Sequence, residues 1–270
     1  MARVRYGARS PEELENKEVQ ATSVGAWSTA ITALYETDPD VVAAVLPPPL
    51  EPTDQPLARI RIARVDLGRG LPPFGAGSFG VQARHEGTVG FYQLVMVMTT
   101  EQSVIGGRET FGEPKKLGQV EVTREGDAVR GAFTRLGTTF IEVTGNVVEA
   151  LDVPPESERV DFYFKFLPAP DGKGFDDEPS LVYCRRQESM RTRERVDGEI
   201  VLRESPFDPV ADLPVRRVVE ITLSEQRSTQ TGEIVSRVPS EWLVPFAHQR
   251  YDDLSPLGPE RPSGRGTGRG

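Results

Sequence analysis

From residue 57 onward, apolar and polar positions alternate along much of the chain. Leu57, Ala58, Ile60, Ile62 and Val65 interleave with Arg59, Arg61 and Arg64, roughly the two-residue period of a half-buried strand. Phe91 to Met98 is almost continuously apolar, the pattern of a strand covered on both faces. Val120–Thr123 and Val129–Thr134 flank Glu125-Gly126-Asp127, which reads as a hairpin. Further strands are predicted at Phe140–Val143, Phe162–Phe166, Leu181–Cys184, Ile200–Leu202, Val215–Leu223 and Ile234–Val238, with a turn at Val196-Asp197-Gly198-Glu199. About nine strands and few helices predict a mainly β, α+β chain, an antiparallel sheet closed on itself with a few peripheral helices.

Two helix starts are legible. Ser10-Pro11-Glu12-Glu13 has capping-box spacing, with Ser at the N-cap, Pro at the first helical position and Glu reaching back. Asp38-Pro39 opens a second helix through Val41–Leu46, which Pro47-Pro48-Pro49 must stop, because proline has no N–H and clashes with the preceding turn. Gly75-Ala76-Gly77-Ser78-Phe79-Gly80 spells G-x-G-x-x-G, but a dinucleotide site needs a strand before it and a helix after it. Here Pro72-Pro73 precedes and Val81-Gln82-Ala83-Arg84 follows, so a Gly-rich turn is the expectation. Residues 1–254 read as one domain, and 255–270, nearly all Gly, Pro, Ser, Thr and Arg, as a disordered tail.

Composition narrows the function classes. Apolar residues make up 37% and there are 26 glycines in 270 residues, an ordinary globular content. A net charge of -9 and a pI near 5.0 are the wrong sign for a main role in binding nucleic acid or anionic membrane. No apolar run approaches the ~20 residues of a membrane span. One cysteine, Cys184, and two histidines, His85 and His248, offer no disulfide and no standard zinc spacing. No metal or organic cofactor is expected, and the location expected is cytoplasmic. His85 reads as a surface residue and Cys184 as a packed thiol.

The chemistry-bearing segment is Gly106-Gly107-Arg108-Glu109-Thr110-Phe111-Gly112-Glu113-Pro114-Lys115-Lys116-Leu117-Gly118. It follows the most hydrophobic stretch, and its paired lysines sit either in a dry-walled cavity or at a solvated turn. Gly107-Arg108-Glu109, five residues, then Lys115-Lys116-Leu117-Gly118 with Pro114 ahead of the lysines resembles the motif of the acetoacetate decarboxylase superfamily. Tyr35–Glu51, Asp212-Leu213-Pro214-Val215 and Gln249-Arg250-Tyr251-Asp252-Asp253-Leu254 resemble other family segments in order and spacing, so the likeness spans roughly residues 25–254. It implies a cone-like barrel around Lys115, a homo-oligomer, and a Schiff base between Lys115 and a small keto acid. Decarboxylation of a β-keto acid is the first expectation. The alternative is an aldolase-dehydratase acting on pyruvate, or a similar keto acid, plus an aldehyde. A catalytically silent barrel that binds a small molecule is the third.

An amine attacks a ketone only when unprotonated, and at a pKa near 10.4 only about one lysine in 2,500 is neutral at pH 7. Desolvation or a neighbouring cation can lower that value. If residues 114–118 are extended, Lys115 and Lys116 point to opposite faces, so desolvation is expected to do most of the lowering. Glu113 and Tyr251 are the candidates for proton transfer beside Lys115. Arg108, Gln93 and Lys116 are the candidates for substrate binding, Arg108 alternatively pairing with Glu109. An approximate gapless pairing places Ser28 where the family's decarboxylases have an arginine, Arg61 opposite one of their acidic residues, and Gly75–Gly77 opposite another. That departure turns attention from acetoacetate itself to other keto acids.

Overall fold

The computed structural model describes residues 6–15, 26–68 and 70–253; the 255–270 tail lies outside them. The elements, in chain order, are α1 (residues 11–15), β1 (Ala26–Glu36), α2 (Pro39–Val45), β2 (Glu51–Pro52), β3 (Leu57–Asp66), β4 (Phe74–His85), β5 (Thr88–Met98), α3 (Glu101–Phe111), β6 (Lys115–Leu117), β7 (Gln119–Glu125), β8 (Ala128–Arg135), β9 (Thr138–Ala150), β10 (Ser157–Lys165), β11 (Ser180–Leu202), β12 (Arg217–Arg237) and α4 (Ser240–Leu243). Among the described residues, no helix is long and apolar enough to cross a membrane.

Seven strands close a barrel in the order β10-β5-β4-β3-β1-β12-β11, with β11 pairing back onto β10. Every neighbour is antiparallel except β10 with β5. From β11 the sheet continues through β9, β8 and β7, and these three strands fold over the barrel wall. Gly131 of β8 lies against Ile62 and Ile31, and Phe133 lies against Gly77 so closely that a Cβ there would strike the ring. The large apolar core, with Ile31, Ile60, Ile62, Phe79, Phe133, Phe140 and Ile141, fills the space between the two layers.

The two helix starts form as read. Glu13 Oε2 accepts from the Ser10 N–H at 3.0 Å while Ser10 Oγ accepts from the Glu13 N–H at 3.3 Å. Asp38 caps α2, accepting from the Asp40 N–H, and the β7–β8 hairpin turns at Gly126 with φ 62°.

Several expectations are corrected. The Gly75–Gly80 segment is part of β4, not a turn; its glycines clear room for Val120, Phe133 and the β5 backbone. Residues 196–199 run straight through the 23-residue β11, because Gly198 lies against Gly145 and the Thr144 carbonyl of β9. The two segments predicted at 215–223 and 234–238 likewise fall, apart from their outer ends, in one strand, β12 (Arg217–Arg237). His85 is buried, with Nδ1 2.7 Å from the Tyr183 hydroxyl. Most consequentially, β3 is not half-buried: Ala58, Ile60 and Ile62 are in the core and Arg59 is buried as well. Closure of the barrel turns its arginine face inward.

Candidate active site

The end of α3 fixes the lysine. Gly112, at φ 80°, ends the helix with its N–H bonded to the Arg108 carbonyl, and the Glu113 N–H bonds to the Gly107 carbonyl, a glycine-terminated helix end. The Lys115 N–H then reaches back to the Glu113 carbonyl at 2.8 Å, a three-residue turn around Pro114 whose fixed φ suits it. Lys115–Leu117 pairs in parallel with Met96–Met98 of β5. Residues two apart share a face and adjacent ones do not. Glu113 and Lys115 therefore come together while Lys116 turns away.

On the first face, Lys115 Nζ lies 2.6 Å from Glu113 Oε2, the lysine side chain 13% exposed and the glutamate fully buried. Oε2 is buried and has no other partner than this ion pair. Gly107 makes this possible: a Cβ there would run into the Glu113 carboxylate and come within 2.5 Å of Nζ. Glu113 Oε1 accepts from Arg186 Nη2 at 3.0 Å, and Arg186 Nε donates to Asp161 Oδ2 at 2.9 Å. Asp161 Oδ1 accepts from Arg59 and from Gln93 Nε2 at 2.8 and 2.9 Å. Arg159 bridges Glu188 at 3.0 Å and Asp161 at 3.5 Å. Burial alone would raise the Asp161 carboxyl, but Arg159, Arg59 and Arg186 outweigh it and hold it well below the usual carboxylate range. Burial pulls the Arg59 and Arg61 guanidiniums down to about 10, which leaves them charged at neutral pH.

Part of this network lines a cavity of about 320 Å³ whose walls include Lys115, Arg61, Arg159, Arg186, Glu188 and Met96, with Glu113 and Arg59 behind them, a size at the small end of ligand sites. Ser28 and Gly77 also line it, and Arg61 Nη2 donates to Ser28 Oγ at 2.9 Å. The three positions read as departures from the family's decarboxylases thus meet in this one chamber.

On the second face, Lys116 Nζ donates to the Phe207 carbonyl at 2.9 Å and lies 3.1 Å from both Asp208 and Asp252. Arg135 holds the same two aspartates at 2.5 and 2.9 Å. Lys116 and Tyr251 line a separate cavity of about 480 Å³. The structure therefore brings together Lys115 and Glu113 and sets the other candidates apart. Lys116 faces away from the Lys115 chamber. Tyr251, expected beside Lys115, lies instead on the far side of β6, beneath Arg108 and against Phe166, and does not line that chamber. Arg108 forms no ion pair with Glu109 among the described residues, since adjacent helical positions diverge; its Nη1 clamps the Lys115 and Arg250 carbonyls at 3.0 Å. Gln93 supports Asp161 rather than lining the cavity.

Sequence reasoning missed Asp161, Arg186, Arg159 and Glu188, named Arg59 only as the polar half of a strand, and reached Arg61 only as a departure from the family's pattern. The available signal was charge at alternate positions of otherwise apolar strands, as in Arg59-Ile60-Arg61-Ile62 and Val160-Asp161-Phe162. Cys184 is buried nearby, and burial pushes its thiol up to about 11, which suits a packed group. Among the described residues, no cluster of three or more His, Cys, Asp or Glu is arranged to hold a metal.

Comparisons with known proteins place this architecture. An acetoacetate decarboxylase from Burkholderia cenocepacia is 28% identical over 209 residues, covering 74% of this chain and 83% of its own; one from Burkholderia mallei matches to the same extent. Among solved structures, an acetoacetate decarboxylase from Legionella pneumophila superposes with a TM-score of 0.70 at 19% identity, over 88% of this chain and 93% of its own. The enduracididine biosynthesis enzyme MppR superposes with a TM-score of 0.66 at 17% identity, over 78% and 89%. The family model described as "Acetoacetate decarboxylase (ADC)" matches residues 10–238, and the chain belongs to that family.

Proposed function

We propose that the protein is a lyase that binds a keto acid as a Schiff base on Lys115 and decarboxylates it. The observation that carries this reading is Lys115 on the wall of the cavity with Glu113 buried directly against its amine, the glycine at 107 leaving space for both groups. The amine must lose a proton before it attacks, and Glu113 Oε2, 2.6 Å away and without another partner, is the group within reach to take it. Attack on the ketone gives a carbinolamine, and Glu113 returns the proton to the departing hydroxyl, which leaves as water. The resulting iminium is the electron sink. The bond to the β-carboxylate breaks, its electron pair moves into the iminium to form an enamine, and carbon dioxide leaves. A proton delivered to carbon restores an iminium, and one water hydrolyses it to ketone and free amine. Arg186, bonded to both Glu113 and Asp161, fixes the carboxylate that moves these protons.

The exchange at Ser28 and Arg61 favours a second reading. The same enamine attacks an aldehyde in an aldol addition followed by loss of water, and MppR is described in complex with a condensation product of pyruvate and imidazole 4-carboxaldehyde. The two readings separate in one assay. With 3-oxo acids the first predicts carbon dioxide in step with ketone, abolished in Lys115→Arg. The second predicts no carbon dioxide above background and, with pyruvate plus an aldehyde, a conjugated product absorbing in the ultraviolet. Neither product with any of these substrates would sink both and leave a binding barrel.

A further inference from the structure

The chamber holds more positive charge than its own acids balance. Lys115 and Glu113 form one pair, neutral in sum whichever carries the proton. Beside them stand four guanidiniums, Arg61, Arg159 and Arg186 on the wall and Arg59 buried behind Asp161, against two carboxylates, Asp161 and Glu188. Asp161 is shared by three of the arginines. Glu188 is bound by Arg159 at 3.0 Å. Arg61 is left over: among the described residues no acid pairs with it, its Nη2 reaches only the neutral Ser28 hydroxyl, and its Nε is buried without a hydrogen-bond partner. Glu188 is the acid it faces, at longer range, and Arg159, Arg186 and Arg59 face it as like charges. A partly buried cation without a counter-ion is costly, and this one lines the same cavity as the reactive amine.

Resting on the Schiff-base reading above, we infer that the substrate is a keto diacid: one carboxylate is lost or turned over at Lys115, and the other is retained on Arg61. A dianion cancels the two surplus charges, whereas a monocarboxylate such as acetoacetate leaves one standing. Guanidinium and carboxylate form the charge-assisted, forked pair that Arg61 is free to make. In the reacting step, the bond to the first carboxylate supplies the electron pair to the iminium and carbon dioxide departs. The second carboxylate keeps its charge and holds the enamine in the chamber for protonation.

The test is the rate at which cyanoborohydride fixes a reduced adduct on Lys115, read by peptide mass spectrometry, with equal sub-saturating 3-oxoglutarate or acetoacetate. In the unaltered protein the diacid is expected to label about tenfold faster or more, the value of one charge-assisted hydrogen-bonded pair. Arg61→Gln should bring the diacid-to-monoacid ratio down near one, and Arg61→Lys should restore part of it. Equal or slower labelling by 3-oxoglutarate in the unaltered protein overturns the diacid inference and leaves the Schiff base standing. A ratio unchanged in a folded Arg61→Gln overturns the role of Arg61. No adduct on Lys115 with either acid overturns the Schiff base and this inference with it.

Discussion

Lys115 and Lys116 are adjacent in the chain, yet β6 sends them into different environments. Lys116 is saturated: two aspartates and a carbonyl hold its ammonium, and Arg135 locks the same aspartates from the other side. Lys115 has one acid and an open cavity. The contrast separates a structural ion pair from a reactive group. A network that satisfies every donor holds its atoms in place, whereas an amine meant to form and break a covalent bond must keep one direction free. It also removes Lys116 as a cation pressing on Lys115, so whatever activates the amine comes from the first chamber.

Several changes break or sharpen this contrast. Asp161→Asn takes the shared carboxylate from three arginines and should cost about 3–5 kcal/mol of stability at pH 7, as for other broken buried pairs, read by urea denaturation. The Asp161 carboxyl is held below its usual value in the folded chain, so its contribution is complete above about pH 5 and is lost as pH falls through the unfolded value near 3.9 toward the folded one. The variant should therefore lose less stability than the unaltered protein between pH 6 and pH 3. Glu113→Gln keeps an acceptor for Arg186 but removes the proton carrier and a buried anion, so kcat should fall about 10²-fold alongside a stability cost of about 3 kcal/mol. An unchanged kcat would move the proton carrier elsewhere.

Gly107→Ala suits a helix better on propensity by up to about 1 kcal/mol, but its methyl group displaces the amine and the carboxylate. A melting temperature within a few degrees together with about a tenfold loss of kcat would show that this glycine serves the site rather than the helix. Lys116→Met should give the smallest change at Lys115, trapping within about threefold of normal, while leaving Asp208 and Asp252 to Arg135 alone at a stability cost of about 1–3 kcal/mol. Collapse of Lys115 trapping in a folded Lys116→Met protein would mean that the two faces communicate.

Much of the fold was legible, and the residues explain where it was not. The β7–β8 hairpin, α2 with its Asp38 cap and the extended β6 follow from turn chemistry, capping and the two-residue period. β1 escaped because its lumen face is Ser28, Ala30 and Thr32 rather than a run of large apolar residues. α3 escaped because it carries two consecutive glycines and buries only Gly107, so it has no apolar stripe to detect. Lys115 and Glu113 were legible because a local motif holds them in sequence. Asp161, Arg186 and Glu188 were not, since β10 and β11 meet the lysine segment only in the closed barrel and an alternating charged strand reads as solvated until the sheet closes around it.

The central claim is that the amine of residue 115 condenses with a keto acid inside the first chamber. Cyanoborohydride reduction in the presence of acetoacetate, pyruvate or 3-oxoglutarate, followed by digestion and peptide mass spectrometry, measures this directly. The account predicts a reduced adduct confined to Lys115, absent from Lys116 and lost in Lys115→Arg. An adduct on Lys116, or none on either lysine with any of the three acids, would contradict it.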